Sequence, residues 1–420
     1  MKNRRNWLLT LIFPGSIIAI FSQCLNLKGK EDARGAAYAG SDKCIKCHEN
    51  TYVSYLHMAH YQSSRPATIH SVHGNFAEGH NRVTFNDGSK VSMEKRDSSL
   101  YQVSYVNGKK DRTQRFDVVF GRAKAETYLY WKGNELFQLP VSYFKGLYDW
   151  SNSPGYTAIH PYFDRPIVQR CFECHSSYIK ELPQRSTSIT DRRIEFDKRS
   201  LIYGIDCERC HGPAAAHVDF QTAHPEEKKA GYIVVYKSLT RKQKLDACAV
   251  CHSGNRDAMQ ASAFDFKPGD ALEKFKELRY LKENNSPATL DVHGNQNGLL
   301  ALSKCFLMSN MDCGNCHDTH RNEASAISTY SQKCMKCHNN GNHNFCKITE
   351  VSFDAIKANC IECHMPLKPS NSIGIFSRGN KKETPYFVRT HYIAVYTSES
   401  KKILTFINSH KTKGSNLPLN

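Results

Sequence analysis

One pentapeptide pattern, Cys-x-x-Cys-His, occurs seven times in this chain of 420 residues. Its copies begin at Cys44, Cys171, Cys207, Cys248, Cys313, Cys334 and Cys360. With 17 cysteines and 20 histidines in the chain, a random order of residues would give roughly 0.03 such pentapeptides. The sequence therefore repeats one piece of chemistry, and the fold must accommodate it seven times.

The repeated pattern is the attachment signature of haem c. Its two thiols form thioether bonds to the porphyrin, and the histidine after them is held beneath the iron as an axial ligand. The predicted attachment residues are Cys44, Cys47, Cys171, Cys174, Cys207, Cys210, Cys248, Cys251, Cys313, Cys316, Cys334, Cys337, Cys360 and Cys363. The predicted proximal iron ligands are His48, His175, His211, His252, His317, His338 and His364. The expected cofactor is therefore seven covalently bound haem c groups.

Zinc is the main alternative for paired cysteines with a nearby histidine. Zinc ribbons use two Cys-x-x-Cys units for one metal, and they do not need a histidine directly after the second cysteine. All seven units here have that histidine. A thioredoxin-like redox motif would need a βαβ context, which the sequence does not indicate. The pattern therefore favours haem over both alternatives.

The formal net charge of +17 at first suggests a nucleic-acid partner. Seven haems, with two propionates each, would offset nearly all of that charge. Arginine is well suited to this pairing because its planar fork binds a carboxylate through two hydrogen bonds. We therefore expect the basic residues to pair with propionates, and we expect no nucleic-acid partner.

The N-terminus has the features of an export signal. A basic start precedes an apolar run from Trp7 to Phe21, which is short for a membrane span and suits a signal peptide at 1–23. Cys24 follows directly and resembles the lipid-acceptor cysteine of a bacterial lipoprotein, so we predict lipidation there. The alternative is simple secretion with cleavage after Ala39. In both cases we expect a periplasmic or cell-envelope protein, and lipidation would add a membrane anchor.

Two further cysteines, Cys305 and Cys346, lie outside the motifs in the last third of the chain. Spare thiols of an exported protein tend to be oxidised. We predict a disulfide between them, and the alternative is two buried free thiols.

Motif spacing divides the chain into segments. We expect a signal peptide at 1–23, a tether at 24–40, a first haem segment at 41–80, a β-rich insertion at 81–145, a cluster of haems 2–4 at 146–255, a connecting helical segment at 256–300, a cluster of haems 5–7 at 301–366, and a C-terminal segment with a distal ligand at 367–420. Alternating apolar and polar residues, with turn signals at 86–88 and 107–108, indicate the β-rich insertion. The predicted fold is mainly α, loop-rich and low in secondary structure, with a small antiparallel β insertion. This prediction rests on the expectation that porphyrins supply much of the apolar core.

Several stretches resemble multihaem c-type cytochromes of the superfamily that contains hydroxylamine oxidoreductase and the octahaem and tetrahaem cytochromes. They are GSDKCIKCHENTYVSYLHMAH, DCERCHGPAAAH, DCGNCHDTH, NCIECHMP and VRTHYI. The resemblance implies distal iron ligands at His60, His217, His320, His343 and His391. The remaining candidates for distal ligands are His57, His70, His73, His80, His160 and His293. The pentahaem nitrite reductases resembled here use a Cys-x-x-Cys-Lys motif, which this chain lacks, so that enzyme is disfavoured.

The distal ligand separates two functions. An iron with two histidine ligands is suited to electron transfer, whereas an open iron can transform a small molecule. We expect electron transfer along the haems, with redox proteins as partners, such as a quinol-linked donor or a terminal reductase. One alternative is an oxidoreductase acting on a small nitrogen or sulfur compound at haem 2 or haem 4, whose motifs have no close downstream histidine. Its catalytic residues are unknown, although Arg256 could stabilise an anionic ligand or pair with a propionate. The other alternative is a haem subunit of a larger respiratory complex, docked through the β insertion.

Overall fold

The computed structural model describes residues 31–184, 193–255, 257–278, 286–322, 327–339, 341, 345–376 and 382–410. Cys24, Arg256 and His343 lie outside the described residues. The α-helices are α1 (Ile45–Tyr55), α2 (Gln169–His175), α3 (Cys207–His211), α4 (Ala215–Ala223), α5 (Arg241–His252), α6 (Gln296–Ala301), α7 (Lys304–Leu307), α8 (Ile327–Cys334), α9 (Phe353–Ala358), α10 (Cys360–His364) and α11 (Thr397–His410). The strands are β1 (Ser64–Pro66), β2 (Arg82–Thr84), β3 (Lys90–Arg96), β4 (Ser99–Val106), β5 (Lys109–Arg115), β6 (Val118–Phe120), β7 (Ala125–Lys132), β8 (Glu135–Gln138), β9 (Val141–Phe144), β10 (Asp149–Asn152), β11 (Arg165–Pro166), β12 (Ser176–Glu181), β13 (Phe196–Tyr203), β14 (Leu367–Ile375) and β15 (Thr384–Arg389).

Strands β1 to β11 form two antiparallel sheets. One has seven strands, with β1, β6, β7, β8 and β11 in that order and with β9 and β10 continuing from β7. The other has four, in the order β2, β3, β4, β5. Val91, Met93 and Leu100 of the four-stranded sheet pack with Tyr128 and Trp150 of the other into one buried cluster. The two sheets therefore share one apolar core.

The hairpin between β4 and β5 follows the turn signal read from the sequence. Asn107 has φ +51° and Gly108 has φ +73°, and a two-residue type I′ turn needs positive φ at both central positions. Val106 and Lys109 pair across this turn. The local residue types thus explain where this pair of strands reverses.

The prediction of a mainly α fold with a small β insertion is wrong. The structure has 30% helix and 24% strand, with several antiparallel sheets. The sheets begin before residue 81 and continue past 145, and two further hairpins, β12–β13 and β14–β15, lie in segments predicted to be helix and loop. The prediction assumed that haem would replace much of the apolar core. Instead, Ile179 and Phe196 of the first hairpin are buried against Phe120 and Phe172, so the strands supply their own core.

The helices around the motifs are short, and local caps define where they begin. The hydroxyl of Thr240 accepts from the backbone N–H of Gln243, and the side chain of Gln243 accepts from the backbone N–H of Thr240. These two hydrogen bonds form a capping box at the start of α5. Asp206 caps α3 by accepting from the N–H of Arg209 at 2.9 Å. In the predicted connecting segment 256–300, the described residues form a 3₁₀ turn at Leu272–Lys274 and helix α6.

The end of the predicted tether is held against motif 3. Arg34 makes ion pairs of 2.9 Å with Asp32 and of 2.8 Å with both Asp206 and Glu208. Glu208 also accepts from the backbone N–H groups of Ala39 at 2.9 Å and of residue 40 at 3.0 Å. The part of the tether that the structure describes is therefore fixed to the folded body. Among the described helices, none has both the length and the hydropathy of a membrane span.

Candidate haem-binding site

Each motif closes a tight turn that brings its cysteines and histidine together. Motifs 1, 5 and 6 are not contained in full within one α-helix. In each of them the histidine N–H donates to the carbonyl of the first cysteine at 2.9 Å: His48 to Cys44, His317 to Cys313 and His338 to Cys334. The other motifs lie in α2, α3, α5 and α10. Side chains three and four residues apart share one face of such a turn. The turn therefore presents the thiols and the imidazole to one side.

One large cavity is lined by residues of all seven motifs. Its volume is about 3970 Å³, whereas pockets for a single small ligand measure about 300–1,000 Å³. It thus has room for several groups the size of a porphyrin. Motif 2 contributes Cys174 to its wall, and each of the other six motifs contributes its histidine and both cysteines.

Thiols of different motifs contact each other in this cavity. Hydrogen bonds join Cys44 of motif 1 to Cys207 of motif 3, and Cys174 of motif 2 to Cys251 of motif 4. The same kind of contact joins motif 4 to motif 5 through Cys248 and Cys313, and motif 6 to motif 7 through Cys334 and Cys360. Motifs far apart in sequence are therefore neighbours in space.

Backbone contacts support the same neighbourhoods. Cys207 N–H donates to Ser41 Oγ at 3.2 Å, next to motif 1. Cys251 Sγ lies 3.6 Å from the carbonyl oxygen of Glu173, within motif 2. Ile361 N–H, within motif 7, donates to Ser331 Oγ of α8 at 3.4 Å, just before motif 6. The motif contacts thus do not depend on the thiols alone.

Several cavity histidines are oriented by a hydrogen bond at Nδ1. His364 Nδ1 donates to the carbonyl of Ala394 at 2.8 Å, and His211 Nδ1 to that of Val234 at 3.2 Å. A metal-bound histidine typically donates its second ring nitrogen in this way, which fixes the tautomer and leaves Nε2 for the metal. The donor set therefore suits axial ligation of an iron.

Three motif histidines each face another histidine across the cavity. The ring centroids are 6.1 Å apart for His252 and His60, 6.0 Å for His211 and His320, and 6.3 Å for His317 and His391. Two imidazoles on opposite sides of one metal have centroids about 6 Å apart, since each nitrogen lies about 2 Å from the metal and about 1 Å from its ring centre. All three distances fit a shared iron. The sequence singled out all six residues, but it could not show which faces which.

Burial keeps two of these facing histidines, His60 and His391, in the form that binds metal. Burial, with a further contribution from His252, lowers the pKa of His60 to about 4. Burial and the neighbouring His317 lower the pKa of His391 to about 4 as well. Both rings are therefore neutral at pH 7, and the neutral imidazole is the ligating form.

The other predicted distal ligands lie in different surroundings. His217 lines the cavity and its Nδ1 contacts the carbonyl of Gly231 at 2.8 Å. His293 is close enough to His175 to contribute to lowering its pKa, after burial. His343 is outside the described residues.

The two spare cysteines both line the large cavity as free thiols. Cys305 acts electrostatically on Cys334, and Cys346 acts on Cys363, so each lies near a different motif. The disulfide between Cys305 and Cys346 remains a prediction. Within the described ranges, no three His, Cys, Asp or Glu side chains form a cluster that could hold one metal ion.

Sequence reasoning missed a buried polar group around Glu126. This carboxylate is fully buried and contacts the guanidinium of Arg65 and Nδ1 of His73. The sequence feature that could have indicated this group is the tripeptide Val-His-Gly at 72–74. Gly74 has φ +124°, and a Cβ there would collide with the Trp150 ring, so the position requires glycine. The glycine therefore lets His73 approach the sheet closely.

Comparison with solved structures gives one match to report. The crystal structure of the outer cell wall cytochrome OcwA aligns with a TM-score of 0.50 and 15% sequence identity, over 87% of this chain and 82% of that chain. This chain shares the fold of that protein. No protein-family profile and no curated protein matches the sequence. At this identity the likeness shows the fold alone.

Proposed function

We propose that this chain is an exported cytochrome that holds seven haem c groups and conducts electrons between redox partner proteins. The observation that carries the proposal is the set of three facing histidine pairs at 6.0–6.3 Å within one cavity lined by all seven motifs. When bound, haem iron supplies one-electron redox chemistry. The residues of the chain hold the groups, space them and exclude water.

We assign the facing histidines as axial ligand pairs. His60 would complete the haem held by motif 4, His320 that of motif 3 and His391 that of motif 5. An iron with both axial positions filled is suited to electron transfer rather than substrate binding. The alternative that places an open site at haem 4 is therefore disfavoured, because His60, in a segment near motif 1, would supply its distal ligand.

The thiol contacts suggest the order of the electron path. Neighbouring attachment points would run from motif 1 to 3, 4, 5, 6 and 7. The steps from 3 to 4 and from 5 to 6 are supported by electrostatic contact of Cys210 with Cys248 and of Cys334 with Cys316. Motif 2 would branch from motif 4 through Cys174 and Cys251. Residues of neighbouring motifs would hold neighbouring haems near each other, which would favour electron transfer between them.

Four of the seven proximal histidines have no distal ligand assigned by the facing pairs. The oxidoreductase alternative therefore stays open at these four haems. We propose His293 as the distal ligand of the haem at His175, on the electrostatic contact between the two rings. His217 is proposed as a second distal ligand, since its Nδ1 contact orients the ring within the cavity. His343 stays a prediction. A haem that lacks a distal histidine would be the place for catalysis on a small nitrogen or sulfur compound.

Export and anchoring are proposed on chemical grounds. The basic start, the apolar run to Phe21 and Cys24 support a lipid-anchored protein of the cell envelope. The fold shared with an outer cell wall cytochrome fits an extracytoplasmic location. The donor and acceptor are proposed to be proteins that dock at the two ends of the motif path, in a free state or within a larger respiratory complex.

Low-temperature electron paramagnetic resonance of the fully oxidised, purified protein tests this proposal. We expect only low-spin ferric signals, including coupled pairs, unchanged when nitrite, hydroxylamine or cyanide is added. A high-spin signal that shifts on these additions would contradict the carrier assignment and indicate an enzyme with an open haem.

A further inference from the structure

A group of charged side chains lies where the seven-stranded sheet meets the large cavity. Buried Glu126 on β7 accepts from Arg65 Nη2, from the backbone N–H of His73 at 2.8 Å and from His73 Nδ1 at 2.6 Å. Since Nδ1 carries the proton, Nε2 of His73 is an acceptor, and Nη1 of Arg122 lies 2.9 Å from it. The same Nη1 also lies 3.1 Å from Nδ1 of His73 and 3.9 Å from Oε1 of Glu126. The histidine thus links the guanidinium of Arg122 to the buried carboxylate.

This arrangement leaves an excess of positive charge. The charge of Glu126 is matched by its direct ion pair with Arg65. His73 is neutral in this hydrogen-bond pattern. Lys145 is half-buried, and burial together with repulsion from Arg122 and Arg65 lowers its pKa, with Glu126 acting in the opposite direction. Arg122 and Lys145 are therefore two cations that repel each other next to one already neutralised carboxylate.

Both cations line the large cavity, and Lys145 also lines a second, smaller space. A small pocket of about 580 Å³ is lined by His73, Tyr143, Lys145 and Tyr148 among others. Lys145 and Tyr148 also line the large cavity, and so does Arg122. The backbone N–H of Lys145 donates to the carbonyl of residue 124 at 2.9 Å, which fixes the two turns that carry the cations. A group in the large cavity can therefore reach both cations, whereas a group in the small pocket reaches Lys145.

We propose that Arg122 and Lys145 form an oxyanion-binding site. Its ligand has at least two oxygens that share a negative charge, because such a group accepts from a guanidinium and an ammonium together. The ligand has two possible sources, a haem propionate or a free inorganic oxyanion, in either case within the large cavity that both cations line. His73 is a positioning residue that orients Arg122. The first source rests on the proposed function, whereas the second does not.

The test compares holoprotein carrying Arg122→Gln or Lys145→Gln with wild type and with Lys110→Gln. The control removes the same charge from an exposed position on β5, outside the site. Isothermal titration with sulfate and, separately, nitrite measures free-anion binding. Spectropotentiometric titration over a range of pH measures the haem reduction potentials and their pH dependence. Circular dichroism and haem content show that each variant is folded and loaded.

Each outcome decides the proposal. Loss of sulfate or nitrite affinity by about tenfold or more in both site variants, as expected for one charge-assisted hydrogen bond, with no loss in Lys110→Gln, identifies a free oxyanion. A lowered potential and altered pH dependence of one haem in the site variants alone identifies a propionate. If the site variants match Lys110→Gln in both measurements, the proposal is overturned. Since the anion titration does not involve haem, its result stands even if the haem assignment fails.

Discussion

The facing histidines show how a residue near one motif can serve another. His60 follows motif 1 in sequence but lies 6.1 Å, between ring centroids, from His252 of motif 4. His320 follows motif 5 but lies 6.0 Å from His211 of motif 3. The sequence identified these side chains because few residue types ligate haem iron. It could not pair them, because the pairing depends on long-range packing that leaves no local pattern.

At this scale, replacement of His60 by glycine should open one haem. Under the proposed pairing, the motif 4 iron loses its distal ligand and keeps His252. We expect about one high-spin ferric haem per molecule by electron paramagnetic resonance, together with new binding of cyanide. His70→Gly is the matched control, because His70 is exposed and outside the cavity lining. An all-low-spin spectrum for His60→Gly would contradict the assignment.

The turns and strands that carry the motifs depend on buried charges as well as apolar packing. Arg34, Asp32, Asp206 and Glu208 all have side chains less than 10% exposed, so their charges compensate each other away from water. Asp206 is also the cap of α3, and Glu208 lies within motif 3. The segment that precedes motif 1 thus stabilises the turn of motif 3. Its small and polar residues are typical of a tether, so the sequence alone does not reveal this contact.

Replacement of Arg34 by alanine should therefore destabilise the protein strongly. It leaves Asp206 and Glu208 as buried carboxylates without their cation, which typically costs about 3–5 kcal/mol. Guanidinium unfolding followed by far-ultraviolet circular dichroism measures the change. Arg199→Ala is the control, because Arg199 is 91% exposed in its pair with Asp197 and such surface pairs contribute about 0–1 kcal/mol. Equal effects of the two substitutions would contradict the structural role of Arg34.

For the molecule as a whole, the sequence predicted local chemistry better than architecture. The motif turns were predictable because five consecutive residues contain the whole signal. The strands around Asn107 were predictable from alternation and turn residues. Hairpins β12–β13 and β14–β15 were not predicted, because haem was expected to form the core in which their own apolar side chains are buried. The joining of motifs 1 and 3 through Cys44 and Cys207 lies beyond local patterns. It follows from how the segments pack.

The most direct test of the whole account is the number of haems on each molecule. Intact-mass spectrometry of the purified mature protein, with a pyridine haemochrome assay for haem content, measures this number. We predict the mass of the mature chain plus seven covalently bound haems, with spectra typical of two thioether bonds per haem. A stable, folded protein that carries fewer haems, or that carries zinc in their place, would contradict the account.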